Sequence, residues 1–171
     1  MIYMLEDDAN IRNFVLYALT SAGMEAEGFA HPEDFWNTVN LRVPSLILLD
    51  VMLPMLNGLE VLRRIRKTSE VPIIMLTADN DRDTEVRGFQ AGVMDFIAKP
   101  FVNEIMVQRV GRILELSRLQ KNLEYEVKVQ TQEAEARRNQ VEKLSEEVMK
   151  TLANTIDAKD KYTNGHSIRV A

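Results

Sequence analysis

The sequence predicts an α/β fold, a doubly wound five-stranded parallel sheet with a long C-terminal helix. Short, unbroken apolar runs at Ile2–Leu5, Leu46–Asp50 and Ile73–Thr77 suit strands buried on both faces. Apolar residues at helical spacing fill the intervals between such runs, and strands alternating with helices imply a parallel sheet covered on both sides. From Val102 onward the helical pattern does not stop. No proline follows Pro100, and the only later glycines are Gly111 and Gly165.

The elements follow in order. After Ile2–Leu5 come Glu6, Asp7 and Asp8. Ile11, Phe14, Val15, Ala18 and Leu19 then recur on one helical face, with Gly23 placed to cap it. Glu25–Ala30 is the least regular strand. Pro32 opens a helix to about Val39. Leu46–Asp50 is the central strand. Asn57-Gly58 marks a turn, and Leu59, Leu62 and Ile65 share one face of the next helix. Pro72 precedes the strand Ile73–Thr77. A helix from about Asp81 to Gln90 is closed by Gly92, and Asp95–Ala98 forms a fifth strand ending in Lys99-Pro100.

The C-terminal helix carries its own pattern. Leu116, Leu119, Leu123, Val127, Gln130, Ala134, Arg137, Val141, Leu144 and Val148 are spaced 3-4-4-3-4-3-4-3-4. This is a heptad seam with one stutter. A single helix cannot bury such a stripe against itself, so the expected partner is a second copy in a parallel coiled coil. Gln130, Ala134 and Arg137 weaken the middle of the seam, where register or switching can be set.

Composition narrows the function. The 171 residues carry a formal net charge of -5, and the pI is about 5.2. No global basic field exists for nucleic acid or anionic lipid. Cysteine is absent, which excludes disulfides, thiolate metal sites and a cysteine nucleophile. No apolar run is long enough to span a bilayer, and Met1 leads into a strand-like run rather than a signal peptide. The expected compartment is the cytoplasm, with neither nucleic acid nor membrane as partner.

Chemistry gathers where strands end: Glu6 and Asp7 after the first, Asp50 after the third, Thr77 after the fourth and Lys99 after the fifth. In a parallel sheet these share one edge, around the topological switch point. One such feature alone is ordinarily a turn former, a helix cap or a solvated charge; four strand-end features at one edge form a constellation. Three crowded carboxylates need a cation, and a hard ion such as Mg2+ takes oxygen ligands. Glu6 and Asp7 would hold it, with Asp50 completing the protein charge. An aspartate carboxylate is a competent nucleophile toward phosphorus, and phosphoryl transfer needs mainly alignment and charge stabilisation. Lys99 would supply charge, Thr77 a hydrogen bond, and Ala78 room for the phosphoryl group. Asp8, Asp79, Asp81 and Asp83 read as helix-start acids, and His31 as an exposed residue before Pro32.

The stretches MLEDDANIR, LILLDVMLPMLNG, IIMLTA and DFIAKPF resemble the receiver domain of two-component response regulators. The resemblance covers residues 1–116 and implies a CheY-like, flavodoxin-like sheet of order 2-1-3-4-5. It implies phosphorylation of Asp50 by a sensor histidine kinase, or by small phosphodonors. It implies Mg2+ held by Glu6, Asp7, Asp50 and the Met52 carbonyl, and a phosphoryl group stabilised by Thr77, Ala78 and Lys99. Thr77 and Phe96 would be the switch pair. Phe96 stands where tyrosine is common, and its ring can turn inward but cannot donate a hydrogen bond. Pro100 is the candidate for a cis peptide. The family often pairs through its fourth helix, fifth strand and fifth helix.

Residues 151–171 read as an amphipathic helix to about Lys159 and then a turn containing Asn164-Gly165. The segment AKDKYTNGHSIRV is similar to the opening of HD-GYP domains, which hydrolyse cyclic di-GMP at a metal centre. The His-Asp pair and Gly-Tyr-Pro triplet of that family do not occur here. His166 would belong to the metal site of the complete domain. The expected organisation is therefore a receiver at 1–116, a coiled-coil signalling helix at 117–150, and the start of an incomplete output domain at 151–171. The chain reads as a piece of a longer regulator and not as an enzyme in itself. Two alternatives differ in class. One is a silent receiver that serves dimerisation. The other is a Mg2+-dependent phosphatase using Asp50 as nucleophile, although Met52 stands where haloacid-dehalogenase-like phosphatases carry their general acid/base.

Overall fold

A computed structural model describes residues 1–54, 56–78 and 82–167, with the backbone alone for 157–167. Asp79, Asp81 and the side chain of His166 lie outside the described residues. The chain divides into two compact units, Met1–Leu119 and Gln120–Ala171.

In the first unit the elements are β1 (Ile2–Leu5), α1 (Ala9–Ser21), β2 (Ala26–Phe29), α2 (Pro32–Leu41), β3 (Leu46–Asp50), α3 (Gly58–Arg66), β4 (Ile73–Thr77), α4 (Arg82–Gln90) and β5 (Asp95–Ala98). The five strands form one parallel sheet in the order β2-β1-β3-β4-β5. The central runs are legible because both their faces are covered: every residue of β1, β3 and β4 is buried.

Strand alternation splits the core into two layers. Tyr3, Leu5, Ile47, Leu49, Ile73 and Met75 pack with Phe35 of α2 and Leu59, Leu62 and Ile65 of α3. Ile2, Met4, Leu46, Leu48, Ile74 and Leu76 pack on the other face with Val15 and Leu19 of α1. The start of α5 (Asn103–Ser167) joins this second layer through Met106, Val110 and Ile113.

Some expectations shift at the margins. β2 spans four residues instead of Glu25–Ala30, and only Phe29 within it is buried, as suits an edge strand. α2 runs on to Leu41. Phe14 shares the apolar face of α1 in sequence but is 44% exposed. Gly23 and Gly92 adopt φ of 77° and 92°, the left-handed geometry that ends a helix.

The turn expected at Asn164-Gly165 is not formed, because α5 stays helical to Ser167. With no proline present, a lone glycine costs a helix only about 1 kcal/mol. Leu123, Val127, Val141, Leu144 and Val148 are between 53% and 66% exposed. Ala134 is exposed as well, and so are Leu116 and Leu119 in the first unit. Among the described residues no helix is long and apolar enough to cross a membrane.

Candidate functional site

β1 and β3 lie side by side at the middle of the sheet. Their connections leave in opposite directions, so a crevice opens beyond their carboxyl ends. Glu6 and Asp7 follow β1 directly, and Asp50 is the last residue of β3. One carboxylate oxygen from each of the three lies within 4.8 Å of the others. Glu6 is 1% and Asp50 3% exposed, whereas Asp7 faces solvent.

The fourth strand end brings Thr77, buried, with Ala78 exposed next to it. The Lys99 N–H donates to the Thr77 carbonyl at 2.7 Å, which continues the β4–β5 ladder and fixes where Lys99 leaves the sheet. The Lys99–Pro100 peptide is cis. Lys99 Nζ donates to Glu6 Oε2 at 2.7 Å. It also lies 3.1 Å from Asp50 Oδ1. That second contact is ionic without the alignment of a hydrogen bond, so buried Asp50 Oδ1 accepts none.

Burial raises the Glu6 carboxyl above the ordinary glutamate range. The Lys99 hydrogen bond pulls it back, and the Asp50 charge pushes it up again. For Lys99 burial acts downward, but the Glu6 hydrogen bond and the Asp50 charge outweigh it and leave its pKa raised. Asp8 behaves differently. As the N-cap of α1 it accepts from the Asn10 and Ile11 N–H groups, and these hold its carboxyl below the usual range.

The β3–α3 loop folds back tightly. Met52 bridges to Asn57, and the Gly58 N–H donates to the Val51 carbonyl at 3.0 Å. A Cβ on Gly58 would overlap the Asp50 carbonyl oxygen, so the close approach needs glycine. Asn57 caps α3 by accepting from the Leu59 N–H. The Met52 side chain is exposed. On the β5 side, Phe96 is buried, with its ring edge-to-face on Phe89 at 5.2 Å.

Three carboxylates, one of them with a buried oxygen that accepts no hydrogen bond, match the all-oxygen donor set of a hard divalent cation. Glu6, Asp7, Asp50, Thr77 and Lys99 thus come to one edge of the sheet. Sequence reasoning missed the direct Lys99–Glu6 bond, the need for glycine at 58, and Arg12, whose guanidinium reaches the backbone of the acidic turn.

Residues 2–111 match the family described as the response regulator receiver domain. The chain belongs to that family. Receivers are the regulatory partners of sensor histidine kinases in two-component systems, and they bind Mg2+ in an acidic pocket such as that of Glu6, Asp7 and Asp50. The receiver is 39% identical to the transcriptional regulatory protein AfsQ1 of Streptomyces coelicolor, over 66% of this chain and 50% of that one. It is 37% identical to the phosphate regulon regulator PhoB of Pseudomonas aeruginosa, over 66% and 51%. The chain spans about half the length of these curated relatives. Among solved structures, DrrB of Thermotoga maritima, an OmpR/PhoB homolog, is 38% identical with a TM-score of 0.61, over 67% of this chain and 52% of that one. The BeF3-activated receiver domain of DrrB aligns at 37% identity and a TM-score of 0.61, over 67% of this chain and 96% of that domain.

Proposed function

We propose that Asp50 is the phosphoryl acceptor of this receiver, loaded by a sensor histidine kinase, and that the event is passed along α5. The observation that carries the reading is the buried Asp50 carboxylate at the switch point, with Glu6, Asp7 and Lys99 gathered on it. An Asp50 oxygen attacks phosphorus. The bond from phosphorus to the donor breaks, and the donor leaves with the electron pair. Lys99, already ionic with Asp50, neutralises the charge gathering on the phosphoryl oxygens. Thr77 donates a hydrogen bond to one of them, and Ala78 keeps the space beside it open. Glu6, Asp7, Asp50 and the Met52 carbonyl would hold Mg2+. When bound, the ion supplies electrostatic stabilisation of the phosphoryl oxygens.

Thr77 and Phe96 form the switch pair in this reading. Phe96 is buried, and an acyl phosphate would favour the inward position of its ring through Thr77. Residues 1–116 act as the receiver and 117–150 as a dimeric coiled coil through Leu116, Leu119, Leu123, Val127, Ala134, Val141, Leu144 and Val148. Residues 151–171 open an HD-GYP output for cyclic di-GMP, supported by AKDKYTNGHSIRV and its His166. A transcriptional output is the second reading, favoured by the identity to AfsQ1 and PhoB.

Beryllofluoride, the activator named for the DrrB domain, tests the acceptor. A bound 19F resonance that requires both Mg2+ and Asp50 is expected. No bound resonance in a folded wild-type protein overturns the assignment.

A further inference from the structure

We infer that Arg12 is a positioning residue that sets the acidic pair for its cation. The inference rests on the reading of Glu6 and Asp7 as Mg2+ ligands and adds a residue to it. Arg12 sits one turn into α1, and its Nη1 donates to the carbonyl oxygen of Glu6 at 2.7 Å and to that of Asp7 at 3.0 Å. Its own N–H donates to the Asp8 carbonyl at 2.9 Å. One residue thus gathers the backbone of all three acids in the β1–α1 turn.

Other bonds hold the turn at its ends: the Asp8 N–H donates to Glu6 Oε1 at 3.4 Å, and the Asp8 carboxylate caps α1. The sheet ladder reaches it through the Glu6 N–H, which donates to the Phe29 carbonyl at 3.1 Å. Beyond that bond, the tilt of the next two peptide planes decides where the Glu6 and Asp7 side chains leave the chain. The guanidinium binds both planes at their oxygens, on the backbone side, so it fixes the ligands without competing for their carboxylates.

The neighbouring edge strand is cut to admit this side chain. A Cβ on Gly28 would lie 2.8 Å from both Arg12 Cγ and Leu16 Cδ1, and 2.9 Å from Arg12 Cδ. Gly28 pairs with Met4, two residues before the acidic pair. The Arg12 stem and the Leu16 side chain therefore share the space that residue 28 leaves open.

A purely electrostatic role and a positioning role predict opposite signs. Arg12 is a cation beside a cation site, so Coulomb repulsion alone predicts tighter Mg2+ binding once it is removed. Positioning predicts weaker binding, as when an outer partner of a metal ligand is lost.

The test is calorimetric titration of the whole chain with Mg2+ alone, with circular dichroism to verify the fold. Arg12→Ala is expected to weaken binding about tenfold. Arg12→Lys, which keeps a donor of the same charge near the carbonyls, restores most of it. Gly28→Ala, which crowds both the Arg12 stem and Leu16, weakens binding in the same direction, and Leu16→Ala, which leaves the stem in place, does not. Should Arg12→Ala fail to fold, Gly28→Ala carries the comparison. Folded variants that bind Mg2+ as tightly as wild type, or more tightly, overturn the inference and leave the metal site standing. A wild-type protein that binds no Mg2+ overturns the metal site and the inference together.

Discussion

Lys99 balances two carboxylates that the fold keeps from water. Its ammonium is 2.7 Å from Glu6 and 3.1 Å from Asp50, and the three side chains are 15%, 1% and 4% exposed. Removing it leaves both acids without a counter-charge, and the cost is that of an uncompensated buried charge. Lys99 lies at the rim, so solvent softens the loss. Lys99→Ala is expected to lower stability by about 2 kcal/mol, below the figure for a fully buried pair. Urea unfolding without divalent ions measures this, and added Mg2+ should recover part of the deficit by linkage. An unchanged midpoint in Mg2+-free buffer would contradict the charge balance described here.

At the scale of elements, α4 and β5 meet where Gly88 faces Phe96. A Cβ on Gly88 would overlap the far edge of the ring. Helix propensity alone makes Gly88→Ala favourable by about 1 kcal/mol, but displacing a seated ring costs about 1–3 kcal/mol. The second effect wins in the wild-type background, and the sign should reverse beside Phe96→Leu, whose smaller side chain clears the space. Thermal unfolding of the four proteins checks this. Failure of the sign to reverse would place the strain elsewhere. The same contrast explains what the sequence reveals. Leu46–Asp50 and Ile73–Thr77 announce themselves because burial on both faces demands unbroken apolar runs. Glu6, Asp50 and Lys99 announce themselves by falling at strand ends. The Lys99–Glu6 bond joins residues 93 positions apart, and nothing local in the chain encodes it. Arg12 bonds to carbonyl oxygens, which every residue carries, so its partners leave no mark in residue identity. Gly28 and Gly88 are legible only once the side chains opposite them are placed.

At the scale of the whole molecule, the proposed signal path needs α5 to find a partner. Its seam leaves Leu123 61% and Val141 66% exposed, and burying such residues favours association by about 1.5–3 kcal/mol for each side chain fully removed from water. Sedimentation should therefore show a dimer for the full chain and a weaker or absent dimer when it is cut after Leu119. The protein has no cysteine, so single cysteines at positions 123, 141 and 144 would report the seam directly. Cross-linking yields that change with phosphorylation are expected, and yields that do not respond would sever the receiver from the coil. Upstream of all this stands the proposed acyl phosphate at Asp50. Its most direct test is intact-mass measurement after incubation with a small phosphodonor, with and without Mg2+, on wild type and Asp50→Ala. The account predicts one added phosphoryl group that requires both Mg2+ and Asp50. An added group that survives in Asp50→Ala, or none at all in a folded wild type given both a phosphodonor and a competent kinase, would contradict it.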